Sequence, residues 1–216
     1  MSVSAKPSER VRAVVFNLPN QLTFLRLILA VILFCVIAWD YYLTGMVLFI
    51  IAAATDWLDG WYARRYQQVT TLGRILDPFA DKVVICGTFI FLVAIPEMLD
   101  TPFGLRPWMV VVIVGRVLLV TALRSFIEER GSDFSAQWSG KLKMVLQCVA
   151  AGAALFYLSY GSHLSYGSPD VEAVRVVDAP SWVRFTVVGS IWAAVVLTVY
   201  SGVGYVIAAV RLVRSQ

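Results

Sequence analysis

The chain has 216 residues, of which 59% are hydrophobic and 15% are charged, and its mean hydropathy is +0.76. Soluble domains carry roughly a quarter of their residues as charges, so a water-soluble globular protein is excluded. The formal charge of +4 and the pI near 9.1 do not imply nucleic acid, because basic residues in the short loops of a membrane chain set topology and attract anionic headgroups.

Lys6, Arg10 and Arg12 precede the first apolar run, as in a secretion signal. The run from Leu22 to Trp39 is too long for a signal core and no small-x-small cleavage site follows it, so it reads as a retained helix. Residues 1–20 read as a cytoplasmic or interfacial segment. Their PSERVRAVVFNLPN stretch mixes basic and apolar residues and suits a short helix lying along the membrane surface. Residues 21–216 read as a single membrane domain. Apolar runs of about twenty residues, the length that crosses a bilayer, predict six transmembrane helices at 21–39, 42–63, 78–95, 107–128, 140–160 and 183–210. The expected fold class is an all-α integral membrane protein. Pro96, Pro102 and Pro107 bracket a predicted loop. ERGSDFSAQWSG separates the fourth and fifth helices, and GSHLSYGSPDVEAVRVVDAPS the fifth and sixth. The last helix is expected to bend near Gly202 and Gly204 or to leave the membrane before Arg211.

Basic residues set the expected orientation. One side collects Lys6, Arg10, Arg12, Arg64, Arg65, Arg74, Arg130, Lys141, Lys143, Arg211 and Arg214. The other has Arg106, Arg175 and Arg184 together with Asp100, Asp170, Glu172 and Asp178. The first side is expected to be cytoplasmic, with both termini on it. Cys35, Cys86 and Cys148 lie far apart in apolar segments, without CxxC or zinc spacing, and read as packing residues. His163, the single histidine, lies in a polar loop and receives no role.

The informative stretch is TDWLDGWYARRYQQVTTLGRILDPFADK, residues 55–82. Asp56 and Asp59 are three apart and share a helix face with Gly60 and Ala63. Asp77 and Asp81 are four apart and share a face of the next helix. The intervening connection lets the two pairs face each other across an antiparallel hairpin. An aspartate at the centre of a membrane helix costs roughly 2.5–3.5 kcal/mol, and four carboxylates together also repel one another. Arg64, Arg65, Arg74 and Lys82 supply some counter-charge. Divalent metal is the cleaner solution, since oxygen donors suit Mg²⁺, Mn²⁺ or Ca²⁺, and a pair of ions about 3.5–4 Å apart gives a two-metal site. Gly60 and Ala63 leave a shallow strip beside the acids, read either as helix packing or as room for a ligand. Asp77 precedes Pro78 and also suits a helix N-cap with proline at the first helical position.

Asp56, Asp59, Gly60, Ala63, Arg64, Gly73, Asp77 and Asp81 match without a gap the signature D-x2-D-G-x2-A-R-x8-G-x3-D-x3-D. On these residues the chain resembles the CDP-alcohol phosphatidyltransferases. The resemblance implies a six-helix membrane fold, a homodimer, and transfer of a phosphatidyl group from a CDP-linked lipid to an alcohol with release of CMP. It implies that Asp56, Asp59, Asp77 and Asp81 bind two Mg²⁺ or Mn²⁺ ions, and that Asp81 is also the general base. It further implies that Asp56, Asp59, Gly60, Ala63, Arg64 and Gly73 receive the cytidine nucleotide.

NLPNQLTFLRL (residues 17–27), TTLGRILDPFADK, and the stretches from Gly115 to Arg124 and from Gly140 to Gln147 are similar to those of bacterial phosphatidylglycerophosphate synthases. That similarity implies CDP-diacylglycerol as donor, glycerol 3-phosphate as acceptor, and the inner membrane of a bacterium as location. A phosphate acceptor needs fixed cations. Arg116 and Arg124 lie near one face of the fourth helix, and Lys141 and Lys143 begin the fifth. Arg116 sits deep in an apolar run, where an arginine is a functional candidate by default. Arg124, Lys141 and Lys143 also read as ordinary flanking charge. Arg26 in the first helix has the same two readings, a functional candidate or a side chain snorkelling to the surface. Val117 stands where those synthases usually place Glu, and Met144 where they often have Thr. Both lie on the acceptor side, so inositol phosphate, serine and phosphatidylglycerol stay open as acceptors. A cation transporter is the alternative of a different class, since intramembrane acids also line ion paths. A path would spread its acids over several depths, whereas these group at one. A silent membrane scaffold gives no account of their spacing.

Overall fold

Prolines mark most of the helix starts, because the missing N–H belongs to a group that lacks an intrahelical acceptor there. Pro19 lies in the first turn of α1 (Leu18–Ala38), Pro96 opens α4 (Pro96–Asp100), Pro107 opens α5 (Pro107–Glu129), and Pro180 immediately precedes α7 (Ser181–Arg214). The remaining helices are α2 (Tyr42–Tyr66), α3 (Thr71–Val93) and α6 (Trp138–Ser165). The computed structural model describes residues 18–66, 71–129, 138–165 and 179–214. Residues 1–17 of the expected interfacial segment, and His163's side chain, lie outside what is described.

Two expectations change. The third long helix begins at Thr71 rather than Pro78, so Asp77 and Pro78 are interior residues and Asp77 is not an N-cap. The proline ring removes one amide donor from the ladder, and the remaining bonds carry the helix through it. The connection from Pro96 to Pro107 is not simply loop either. It opens with the five-residue α4, whose Pro96 is pre-set for a first helical position.

α1 ends in a left-handed residue, Asp40 (φ 64°). Its N–H donates to the Ile37 carbonyl and the Tyr41 N–H to Val36, both at 3.1 Å, which satisfies the last carbonyls of the helix. The Tyr42 hydroxyl donates to Asp40 Oδ1 at 2.6 Å. This tight turn sends α2 back along α1. A Cβ on Gly45 would stand 3.2 Å from Ile37 Cγ1 and 3.8 Å from Leu33 Cδ1. α2 runs back along α1 and only four residues join it to α3, so α3 runs in the direction of α1; it lies alongside it, with Phe34 meeting both Gly87 and Phe91, the latter as a stacked pair with centroids 5.0 Å apart.

The six long helices form a closed bundle in the order α2, α1, α3, α5, α7, α6, with α3 also touching α6 across the middle. α2 and α3 meet only sparingly, and both lean chiefly on α1. α1 is therefore the wall on which both halves of the acidic motif are mounted. An apolar core occupies one end, with Leu33, Ile37, Phe89, Leu92, Met109, Ile113, Leu155 and Ile191 all buried. There the Thr101 and Tyr157 hydroxyls pair at 3.1 Å. Trp39, Tyr41, Trp108 and Trp182 are exposed at helix ends on this side, as in an interfacial aromatic belt.

The outer faces carry exposed Val31, Val111, Leu118, Phe185, Val196 and Tyr200. So much contiguous apolar surface belongs against lipid rather than water, and the chain is a membrane protein. Gln21–Ala38, Lys143–Tyr160 and Ser181–Arg211 are long and apolar enough to span a bilayer, while Tyr42–Thr55 and Pro107–Leu123 are shorter apolar stretches. These spans are those found among the residues with described side chains, and the signature charges Arg74, Asp77, Asp81 and Lys82 lie in the first half of α3.

Gly87 gives a direct test of the α1–α3 packing. Any Cβ there overlaps the Phe34 ring, which cannot swing away without leaving its stack on Phe91. Gly87→Ala is expected to cost about 1–3 kcal/mol, the usual range for overpacking, read as a lower unfolding temperature in detergent. Phe34→Leu in the same chain should recover most of it.

Candidate active site

The apolar core gives way at the other end of the bundle to buried polar side chains. Arg26 and Thr23 on α1, Lys143 and Gln147 on α6, and Thr198 and Ser201 on α7 are all at most 5% exposed. In a chain with so few charges, a buried arginine and a buried lysine at one depth require a shared reason.

α1 supplies the reference level. Because residue 34 lies beside 87 and 91, Arg26 lies level with residues 79–83 of α3, and so with Asp81. The antiparallel register set by Gly45 places it opposite the end of α2 that carries Asp56. Arg26 is 1% exposed, so it does not snorkel: its guanidinium stays inside the bundle at the level of the acidic motif.

Asp56, Asp59, Gly60, Ala63 and Arg64 lie in the last three turns of α2, and Gly73, Asp77 and Asp81 in the first half of α3. Both helices adjoin α1, run antiparallel, and are joined by residues 67–70, which lie outside the description. Of the four aspartates, Asp81 alone has a described side chain, and it is half-buried. Among the described residues no cluster of three or more His, Cys, Asp or Glu stands ready to hold a metal. The donor set of the motif, four carboxylates and no nitrogen or sulfur, suits hard divalent cations. Arg124 and Lys141 lie on α5 and α6, with side chains outside the description.

Three helices meet around Lys143. Lys143 of α6 lies within electrostatic reach of Asp81, Lys82 and Cys86 on α3 and of Arg116 on α5. Two of the four expected phosphate-binding cations, Arg116 and Lys143, are thus brought together, and Lys143 also reaches the expected base, Asp81. Arg116 Nη2 donates to Ser201 Oγ at 2.5 Å, and the guanidinium carbon stands 5.3 Å from the centroid of the Tyr205 ring. Gln147 Nε2 donates to Thr198 Oγ1 at 3.3 Å. The result is a half-buried carboxylate, a buried lysine and a half-buried arginine at the polar end of a membrane bundle, an arrangement able to take a proton and hold a phosphate.

Residues 16–213 match the family described as CDP-alcohol phosphatidyltransferase. The chain belongs to this family. Among its relatives is a protein of Bacillus subtilis (strain 168) named CDP-diacylglycerol–glycerol-3-phosphate 3-phosphatidyltransferase, 34% identical over 206 residues that cover 88% of this chain and 93% of the relative. Proteins of the same name from Salmonella typhimurium and Escherichia coli (strain K12) are 32% and 31% identical over 203 residues, covering 90% of this chain and 95% of each relative.

As a CDP-alcohol phosphatidyltransferase, the chain carries its signature on α2 and α3, while the polar groups at that end of the bundle come from α5, α6 and α7. Sequence reasoning missed Thr198, Ser201 and Tyr205. Their signal is the recurrence of hydroxyl-bearing residues at helical spacing, 198, 201 and 205, inside the apolar run LTVYSGVGYV. Cys86 was read as packing alone. It proves to lie next to the polar cluster, facing Lys143 and Asp81.

Proposed function

We propose that this protein transfers the phosphatidyl group of CDP-diacylglycerol to glycerol 3-phosphate, giving phosphatidylglycerophosphate and CMP. The observation that carries the proposal is that Lys143 on α6 lies within electrostatic reach of both Asp81 on α3 and Arg116 on α5. The names of the relatives support the same donor and acceptor. Family membership leaves the transporter reading without support.

In this reading Asp81 accepts the proton of a glycerol 3-phosphate hydroxyl. The hydroxyl oxygen attacks the phosphorus that bears diacylglycerol, and a new P–O bond forms. The bond from that phosphorus to the bridging oxygen of the diphosphate breaks, and CMP leaves with that oxygen and the electron pair. Arg116 and Lys143 hold the acceptor's own phosphate, with Arg124 and Lys141 at the mouth. Gly60 and Ala63 give the cytidine nucleotide room against α2, with Arg64 and Gly73 beside it. Asp56, Asp59, Asp77 and Asp81 would hold two Mg²⁺ or Mn²⁺ ions, which supply charge neutralisation for the diphosphate and the departing CMP.

The membrane setting follows the same reading. All six long helices cross the bilayer, with the charged ends of α2 and α3 at one boundary. The positive-inside pattern puts that boundary and both termini in the cytoplasm, in the inner membrane of a bacterium, and the active form is a homodimer. A lipid-bound donor and a soluble acceptor meet only at such a boundary.

The test is CMP release from CDP-diacylglycerol by purified protein in detergent. Release is expected with glycerol 3-phosphate, and not with inositol phosphate, serine or phosphatidylglycerol. A chelator should abolish it, and Mg²⁺ or Mn²⁺ should restore it. Chelator-insensitive release would remove the metals from the proposal. Release with another acceptor alone would move the acceptor.

A further inference from the structure

We infer that one face of α7, carrying Thr198, Ser201, Gly202 and Tyr205, sets acceptor specificity by fixing Arg116 and Gln147 beside Lys143. The inference rests on the phosphatidyl-transfer reading and assigns residues outside the family signature.

The four positions are spaced three, four and seven apart and form a single stripe on a helix. Thr198 and Ser201 are fully buried within an otherwise apolar segment, so their hydroxyls must be used. Ser201 receives the Arg116 Nη2 hydrogen bond. Tyr205 offers its ring face to the same guanidinium. Gly202 lets the aliphatic stem lie against the α7 backbone, since a Cβ there would come within 3.2 Å of Arg116 Cγ. One turn earlier, Thr198 receives the Gln147 amide.

Every partner that α7 offers in these contacts is uncharged. A hydroxyl and an aromatic face orient a guanidinium without cancelling its charge, whereas a carboxylate would consume it. Arg116 Nε remains buried without a hydrogen-bond partner, so the group keeps donor capacity after α7 has fixed it. Lys143, 5% exposed, lies within electrostatic reach of that guanidinium and carries the same sign. Two like charges held side by side in a mostly apolar interior suit a ligand with more than one negative charge. A phosphate monoester fits that description, and a neutral hydroxyl or a zwitterion does not. Ser201 and Tyr205 are positioning residues, because they act on the acceptor through Arg116.

The experiment measures steady-state kinetics and, separately, calorimetric binding of glycerol 3-phosphate, for the wild type and for Ser201→Ala, Ser201→Thr, Tyr205→Leu and Tyr205→Phe. Ser201→Ala and Tyr205→Leu should each raise the KM and Kd for glycerol 3-phosphate by about tenfold, the scale of one charge-assisted hydrogen bond or one cation–π contact. The KM for CDP-diacylglycerol and kcat should stay within about twofold. Ser201→Thr keeps a hydroxyl and Tyr205→Phe keeps a ring face, so both should restore acceptor affinity. Unchanged acceptor KM and Kd in the Ala and Leu variants would overturn the inference. So would parallel losses in donor KM, kcat and unfolding temperature, which mark a merely structural role. A wild type that binds glycerol 3-phosphate without releasing CMP, and loses that binding in Ser201→Ala, would sink the reaction and keep the inference. A wild type that does not bind it would overturn both.

Discussion

Asp81→Asn should lower CMP release by about 10²–10⁴-fold, the usual contribution of a general base, and leave a folded membrane protein. The substitution keeps the size and one acceptor oxygen of the side chain and removes its basicity. Asp81 is half-buried on α3, at the level of Arg26 and within electrostatic reach of Lys143. Among the described side chains it is the motif carboxylate within reach of Lys143, an expected acceptor cation, which is what a base for the acceptor hydroxyl needs. The decisive measurement is kcat at saturating donor and acceptor over a titration of Mg²⁺. A loss that persists at high Mg²⁺ identifies the proton acceptor. A loss that high Mg²⁺ repairs makes Asp81 a ligand only, and near-normal turnover removes it from the chemistry.

The long helices were legible because apolar runs of membrane length are broken by prolines and charges that nothing else explains. The positions of the eight signature residues were legible because their spacing is fixed along the chain. Their partners were not. Ser201 and Tyr205 lie far from the signature in sequence and reach Arg116 only once α5 and α7 pack side by side. Hydroxyls in an apolar helix are common, and their use is a tertiary fact. Pro78 misled in the opposite direction. An Asp-Pro pair is a strong start signal, yet α3 begins seven residues earlier and runs through it, local preference yielding to the packing of α3 along α1. Arg26 had two readings from sequence, and burial decided between them: a side chain 1% exposed has not reached the surface. Both helices that carry the acidic pairs lean on α1 more than on each other, and the side chains of Asp56, Asp59 and Asp77 lie outside the description.

Lys143→Met should move stability and acceptor use in opposite directions. Lys143 is 5% exposed, and among the described residues its charged neighbours are Arg116, Lys82 and Asp81. Two of those three repel it, so the protein without substrate holds a desolvated cation that its surroundings only partly compensate. An apolar chain of similar length removes both the desolvation of this charge and its repulsion by two neighbours. The unfolding temperature without acceptor should therefore stay level or rise. Glycerol 3-phosphate meets the opposite balance. Its phosphate loses one of the two cations it bridges, and a hydrogen bond to a charged group is worth about 1.5–3 kcal/mol, so its KM should rise by about 10- to 100-fold. The stabilisation that added glycerol 3-phosphate gives the wild type should shrink in proportion, because a ligand raises stability only as far as it binds the folded state. Lys143→Arg keeps the charge and should retain part of both effects. A Met variant that is less stable and has an unchanged acceptor KM would make Lys143 a structural counter-ion of Asp81. A Met variant that is more stable and cannot use its acceptor would mean that the buried charge costs stability and is retained for phosphate binding.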